Sequence, residues 1–333
     1  MERVSRFGVG MAGVLLLLLV ISDGGLSAER RSESSAQPQL VWVDTDIGDD
    51  IDDAFALGLI LRSPELKVVG ISTAFGDTEM RARLVDRFLS SSLEGVGVTG
   101  IPVYAGVRTE TDNPLTQRAY AERWPARKHG DGVAAMLEAI RRHPGEITVI
   151  GLGPLFNVGA AIDRDPETFR KVKRVVLMGG SIERGYDGAK GEARPAEPEW
   201  NIKQDSKGAE KLLASGVPVF MAPLDSTQIP LEEKARDALF AKGSALTDQL
   251  TLLYHEWMAQ SWNHSPTPTL FDPLAAAYVF RPDLCPMTSM RIEVDAKGMT
   301  RRVEGKANAE VCLKSDEKGF LELLLGRLEG SEK

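Results

Sequence analysis

Leu40-Val41-Trp42-Val43-Asp44-Thr45-Asp46-Ile47-Gly48-Asp49-Asp50-Ile51-Asp52-Asp53-Ala54 places six aspartates within ten residues, directly behind a short apolar run. Residues 40–43 have the length and apolar character of a buried strand, and residues 54–61 continue as a helix. The aspartates therefore stand where a strand hands over to a helix. That is the carboxyl edge of a sheet, where open α/β folds hold their ligands. So many neighbouring carboxylates repel one another unless a cation or several hydrogen bonds offset the charge. A hard, oxygen-seeking metal ion answers that need. Helix capping accounts for one or two of the six. An EF-hand loop does not fit, because Gly48 comes one place early and its twelfth position is Phe55 rather than Glu. A phosphatase-type Asp-x-Asp at a strand end is another reading of the same residues, although no later Lys motif accompanies it.

Outward from this stretch the chain alternates strand and helix. Strands are expected at residues 66–73, 101–106, 146–152, 172–177 and 217–225, each followed by polar or Gly-rich residues. Helices are expected at 79–90, from 133, and at 245–262. This alternation predicts one open, mostly parallel sheet flanked by helices, an α/β fold with a Rossmann-like core. Several polar residues fall at strand ends or loop exits. Asp77 reads as a helix cap, and His129 as a cap or a turn residue. Residues 183–197, rich in Gly, Pro and charge, read as a mobile lid. Glu199 and Asn201 alternate as two polar groups on one face of an extended segment would. Asp272 before Pro273 has the form of an N-cap with proline at the first helical position.

Four motifs together resemble one family. Asp44-Thr45-Asp46-x-Gly48-x-x-x-Asp52-Asp53-Ala54 resembles the N-terminal signature of the nucleoside hydrolases, the inosine-uridine preferring family and its relatives. Gly153-Pro154-Leu155-Phe156-Asn157 is similar to that family's Gly-Pro-Leu-Thr-Asn turn, and Glu199-Trp200-Asn201-Ile202 to its Glu-Phe-Asn-Ile. Phe271-Asp272-Pro273-Leu274-Ala275 is similar to its His-Asp-Pro-Leu-Ala. The resemblance runs from about residue 40 to the C-terminal helix. It implies a Ca2+ ion held by Asp46, Asp53, Asp272 and the main-chain carbonyl of Leu152. It implies that Asp46 acts as the base for a water attacking the anomeric carbon of a small-molecule ribonucleoside. Asp52, Asp77, His129, Met178, Glu199 and Asn201 would bind the sugar and base, and the chain would form a homo-oligomer, dimer or tetramer.

The departures from the family pattern are informative. Phe271 replaces a His that many members use to protonate the departing base, and Asp77 replaces an Asn. The acidic loop is two residues longer between Gly48 and Asp52, so Asp49 and Asp50 have no clear counterpart. Without His at 271, the base could stack on Trp257 or Trp262, be protonated by His129 or His264, or leave without activation. Stacking favours purines. The opposing reading is a non-catalytic, calcium-dependent nucleoside-binding protein.

Residues 1–28 read as a signal peptide: Arg3 and Arg6 precede an apolar core at 11–21, and Leu26-Ser27-Ala28 offers a cleavage site. An uncleaved anchor is the other reading of that core. The expectation is an exported, periplasmic or extracellular protein with no stable membrane association after cleavage. Residues 29–39 read as a flexible lead-in and 40–330 as one catalytic domain, with no linker or internal repeat. The net charge of −8 argues against a nucleic-acid partner. The two cysteines, Cys285 and Cys312, suffice for one disulfide or two free thiols, and the sequence does not place their Cα atoms.

Overall fold

In the computed structural model, which describes residues 37–92, 100–188, 191–260 and 265–330, the apolar run after Pro38 becomes strand β1 (Gln39–Thr45). The expected export segment, most of the lead-in, Trp262 and His264 lie outside the described residues. The strand begins at Gln39, the last residue of that lead-in, because its amide nitrogen bonds to Glu65 and its side chain donates to the Val279 carbonyl. Eight residues, the last four of them all buried, build β2 (Leu66–Thr73) beside it. The remaining strands are β3 (Val103–Ala105), β4 (Gly130–Asp131), β5 (Thr148–Gly151), β6 (Arg174–Met178), β7 (Val219–Ala222), β8 (Met287–Val294), β9 (Thr300–Val303) and β10 (Ala309–Cys312).

Among the described residues all ten strands lie in one sheet, in the order β4-β3-β2-β1-β5-β6-β7-β10-β8-β9. From β4 across to β10 every pairing is parallel; β8 and β9 close the far edge antiparallel. The order reverses at β1, whose neighbours are β2 on one side and β5 on the other. Loops leaving β1 and β5 therefore part in opposite directions and open a crevice between them.

A parallel sheet is covered on both faces, and β1 shows why its sequence is apolar throughout. Val41 and Val43 join one core with Ile71, Ile150 and Val176, while Trp42 points into the other with Val149, Val175 and Met221. In the first layer, all ten residues of the helix Asp52–Leu61 are buried. A helix apolar on every side belongs in the middle of a layer. It packs against the helices Phe271–Tyr278, Ala245–Gln260 and Glu317–Glu329. Truncating its Phe55 to Ala would cost about 3–5 kcal/mol through the cavity left behind.

The antiparallel edge had no clear signal in the chain, since β8 to β10 follow one another through turns without the strand–helix alternation. The Cys285–Cys312 disulfide, with Cα atoms 5.6 Å apart, ties the start of this edge to its end. Closing a loop of 27 residues in the unfolded chain is worth roughly 3 kcal/mol. Among the described residues no helix is long and apolar enough to cross a membrane.

Candidate active site

The crevice at the strand-order reversal receives four carboxylates from three places. Asp46 follows the end of β1, Asp52 and Asp53 begin the helix Asp52–Leu61, and Asp272 lies in the first turn of the helix Phe271–Tyr278. All four are buried. Single carboxylate oxygens of Asp52, Asp53 and Asp272 lie within 4.8 Å of one another. Asp52 accepts the Asp272 backbone N–H at 3.1 Å, and Asp53 accepts from the Thr45 hydroxyl and hydrogen-bonds Asp272. Asp272 is thus not the N-cap that its place before Pro273 also allowed. The residue before its helix is Leu270, which makes no side-chain cap, and the Asp272 N–H of the first turn donates to Asp52 instead. Two helix N-termini, both attractive to negative charge, meet at the cluster.

Asp46 packs against Gly153, in the turn after β5. A Cβ on residue 153 would lie 2.7 Å from an Asp46 carboxylate oxygen, so only glycine lets the turn come this close. The Leu152 carbonyl beside it accepts from the Asn201 side chain at 2.9 Å, and the Met178 carbonyl accepts from the same nitrogen at 3.2 Å. Leu152, Met178 and Asn201 therefore join the crevice from the ends of β5 and β6 and from the helix Trp200–Gln204. That helix corrects the extended segment expected at residues 199–201. Glu199 is its N-cap, accepting from the Asn201 and Ile202 N–H groups at 2.8 and 3.1 Å and from Gly180 at 3.0 Å. The pair nonetheless reaches one loop, since Glu199 accepts from the Gly180 N–H and Asn201 donates to the Met178 carbonyl.

Burial is the main cause of an upward shift in every carboxylate here. It takes Glu199 to about 6 and Asp53 to about 7, against the hydrogen bonds that favour their charged forms. Asp46, Asp52 and Asp272 are raised well above the usual range by burial and then by neighbouring aspartates, first Asp53 for Asp46, Asp50 for Asp52 and Asp52 for Asp272. Carboxylates this close either share protons or share a cation. The donors are all oxygen, they come from three segments, and the Leu152 carbonyl, which also accepts from Asn201, precedes the Gly153 that packs on Asp46. This set fits a hard divalent ion such as calcium.

Two expected site residues stand apart. His129 is not free to meet a base: its side chain is fully enclosed, with Nδ1 2.7 Å from Glu79 and Nε2 3.0 Å from Asp86. Both ring nitrogens are spent on the helix Thr78–Ser92. Asp77 accepts from Met80 N at 3.3 Å in a capping contact and pairs with the exposed Arg108 at 3.1 Å. Trp257, one of the candidates for a stacking platform, is buried against Tyr254 and hydrogen-bonds Asp50, which leaves it in the core.

The residues missed in the sequence include Tyr186 and Arg81. Tyr186, in the segment read as a lid, packs edge-on against Phe271 and accepts the Trp200 N–H at 2.9 Å. Burial, then the nearby Glu199 charge, holds its hydroxyl protonated. The lid segment itself folds back as a hairpin, with Gly185 N bonded to the Arg194 carbonyl at 2.9 Å. On the opposite side Phe75 stacks on Phe156 and meets Trp200 edge-on. Phe75 holds φ at 64°, a strained value for a residue with a Cβ, in the turn after β2. Arg81 looked like one more polar residue on a surface helix, and only its burial reveals it.

Comparison with known proteins agrees in fold and chain coverage. The family model described as inosine-uridine preferring nucleoside hydrolase matches residues 41–322. The pyrimidine-specific ribonucleoside hydrolase RihA of Salmonella typhi is 30% identical over 314 residues, covering 87% of this chain and 98% of that protein. A plant nucleoside hydrolase, PpNRh1, superposes with a TM-score of 0.71 at 25% identity, covering 87% of this chain and 99% of its own. A purine-preferring ribonucleoside hydrolase from Gardnerella vaginalis has a TM-score of 0.72 at 22% identity, covering 88% and 98%.

Proposed function

Since this chain belongs to the inosine-uridine preferring nucleoside hydrolase family and is a ribonucleoside N-ribohydrolase, we propose that it is calcium-dependent, prefers purine ribosides and acts outside the cytoplasm. The observation that carries the reading is the convergence of Asp46, Asp52, Asp53 and Asp272 at the β1/β5 crevice. Asp46, Asp53, Asp272 and the Leu152 carbonyl would hold the ion, which would supply an acidified water and an anchor for sugar hydroxyls.

Asp46 would accept the proton of a water whose oxygen bonds to the anomeric carbon as the C–N bond breaks, its electrons leaving with the base. Positive charge develops on the sugar ring, as in other glycoside cleavages. The buried carboxylates of Asp52 and Glu199 stabilise it, and with Asn201 they orient the ribose. Glu199 is locked by three backbone N–H groups, so its position costs no reorganisation during the reaction. Phe271 offers no proton to the departing base. The half-buried rings of Phe271, Tyr186, Trp200 and Phe156, packed on one another and on the buried Phe75, instead offer stacking surface near the start of the Trp200–Gln204 helix, which supports purine over pyrimidine. Export is supported by the apolar N-terminal core and by the Cys285–Cys312 disulfide, which persists only under oxidising conditions.

The test is a panel of inosine, adenosine, uridine and nitrophenyl riboside, assayed on chelator-stripped protein with and without calcium. Hydrolysis should require calcium, with inosine ahead of uridine in kcat/KM. Full turnover in chelator would overturn the calcium requirement, and faster uridine cleavage the base preference. Binding of ribose and calcium without turnover of any substrate would make the chain a binding protein.

A further inference from the structure

The acidic loop is two residues longer than the family pattern, and the added length is gripped from outside. Arg81, 2% exposed, reaches it from the helix Thr78–Ser92. Its Nη1 donates to the Asp46 carbonyl and, at 3.0 Å, to the Ile47 carbonyl; Nη2 pairs with Asp49 at 2.7 Å. Its Nε donates to the carbonyl of the strained Phe75 at 2.8 Å. The next three carbonyls are held by the segment after β3. Thr116 Oγ donates to Gly48 at 3.1 Å and to Asp49 at 2.6 Å, the Gln117 backbone N–H donates to Gly48 at 2.9 Å, and its side chain to Asp50 at 2.9 Å. Asn113 adds a bond to the Asp49 carboxylate at 3.0 Å. Every carbonyl from residue 46 to residue 50 thus accepts from a group outside the loop.

We propose that Arg81 is a positioning residue: with Asp49 and the 113–117 segment it clamps the acidic loop in the shape that receives the metal, whether or not the ion is bound. The proposal rests on the calcium reading above. It also assigns Asp49 to the clamp and away from the metal and the sugar. A buried guanidinium is tolerated because three carbonyls and one carboxylate satisfy it. The planar fork is essential, since a lysine ammonium is a point charge that cannot reach four acceptors arranged around a plane. The same Arg is also a positive charge near a cation site, and the two roles predict opposite results. A charge alone repels calcium, so its removal would tighten binding. A clamp pre-forms the site, so its removal weakens binding.

The experiment compares full-length wild type with Arg81→Lys, Arg81→Gln and Asp49→Asn. It measures calcium affinity by calorimetry on stripped protein, kcat and KM on inosine, and hydrogen exchange of residues 46–51 in chelator. Both Arg81 variants should lose about 10–100-fold in calcium affinity, the usual cost of disturbing groups behind metal ligands. They should lower kcat more than they raise KM, and speed exchange in the loop. Asp49→Asn should shift all readouts the same way by less, and it carries the test if the Arg81 variants do not fold. Wild-type affinity in Arg81→Lys, tighter binding in Arg81→Gln, or unchanged exchange in Asp49→Asn would each overturn the clamp. If wild type binds no calcium, the metal reading fails on its own, and the exchange comparison in chelator still decides the clamp.

Discussion

One helix, Thr78–Ser92, faces two acidic groups that the molecule treats in opposite ways. Glu79 and Asp86 receive cations: His129 sits between them, and Arg127 forks onto Asp86 at 2.6 and 2.7 Å. Burial alone would raise the Asp86 carboxyl, but the bonds from His129 and Arg127 win and hold it below the usual range. Asp46, Asp52, Asp53 and Asp272 receive mainly one another, and burial with mutual repulsion pushes them up. Arg81 offsets part of that charge but is committed to Asp49 and to backbone carbonyls. The first group is a finished structural contact. The second is electrostatically incomplete, and incompleteness of this kind in a crevice marks a site for a cation and a reaction.

The largest expected effect comes from the incomplete group. Asp46→Ala should lower kcat/KM by on the order of 10³-fold or more, through loss of the base and a metal ligand together. Its thermal unfolding should stay close to wild type, while His129→Gln should leave turnover near wild type. Comparable activity losses in the two variants would erase the distinction between the groups.

Metal removal should show the next largest effect, with a pH dependence that has a definite sign. The raised carboxylates of the metal-free fold hold protons that the unfolded chain, with ordinary values near 4, has released. Their contribution therefore falls as pH rises from about 4 through about 7, the value reached by Asp53. Stripped protein should melt several degrees lower at pH 8 than at pH 5, and calcium should restore the pH 8 value. Equal melting of stripped protein at both pH values would break the argument that these acids lack a partner.

The smallest effect belongs to the completed group. His129→Gln should cost about 1–2 kcal/mol of stability, the worth of its charge-assisted bonds. Burial lowers the His129 pKa, yet the bonds to Asp86 and Glu79 outweigh it and the net shift is upward. Its contribution is accordingly full below about 6.5 and is lost as pH rises through the folded value. Melts at pH 6 should separate wild type from variant more than melts at pH 8.5, and calcium should not change the gap.

Much of the site was legible because its chemistry is written in local patterns. An apolar run ending in Asp44-Thr45-Asp46, a turn of Gly153-Pro154-Leu155, a Glu199–Asn201 pair and an Asp272-Pro273 step each pair a strand or loop exit with a polar residue. Alternation of strand and helix then says that such exits gather at one sheet edge. The same patterns were silent about which polar residues turn inward. His129 beside two glycines read as well for a base contact as for a turn, and Trp257 read as well for stacking as for core.

By itself the sequence determined the α/β class, the parallel core and the residues able to bind a hard cation, because periodicity and residue chemistry act over a few neighbouring positions. Tertiary structure alone decided the rest. It set His129 against Glu79 and Asp86 from 50 and 43 residues away, and turned Arg81 under a loop 35 residues earlier. It also capped the Asp272 helix with Asp52 across 220 residues and joined Cys285 to Cys312. Those outcomes depend on which groups lose water together when the layers close. A buried charge must then find its partner in space, whatever its distance along the chain.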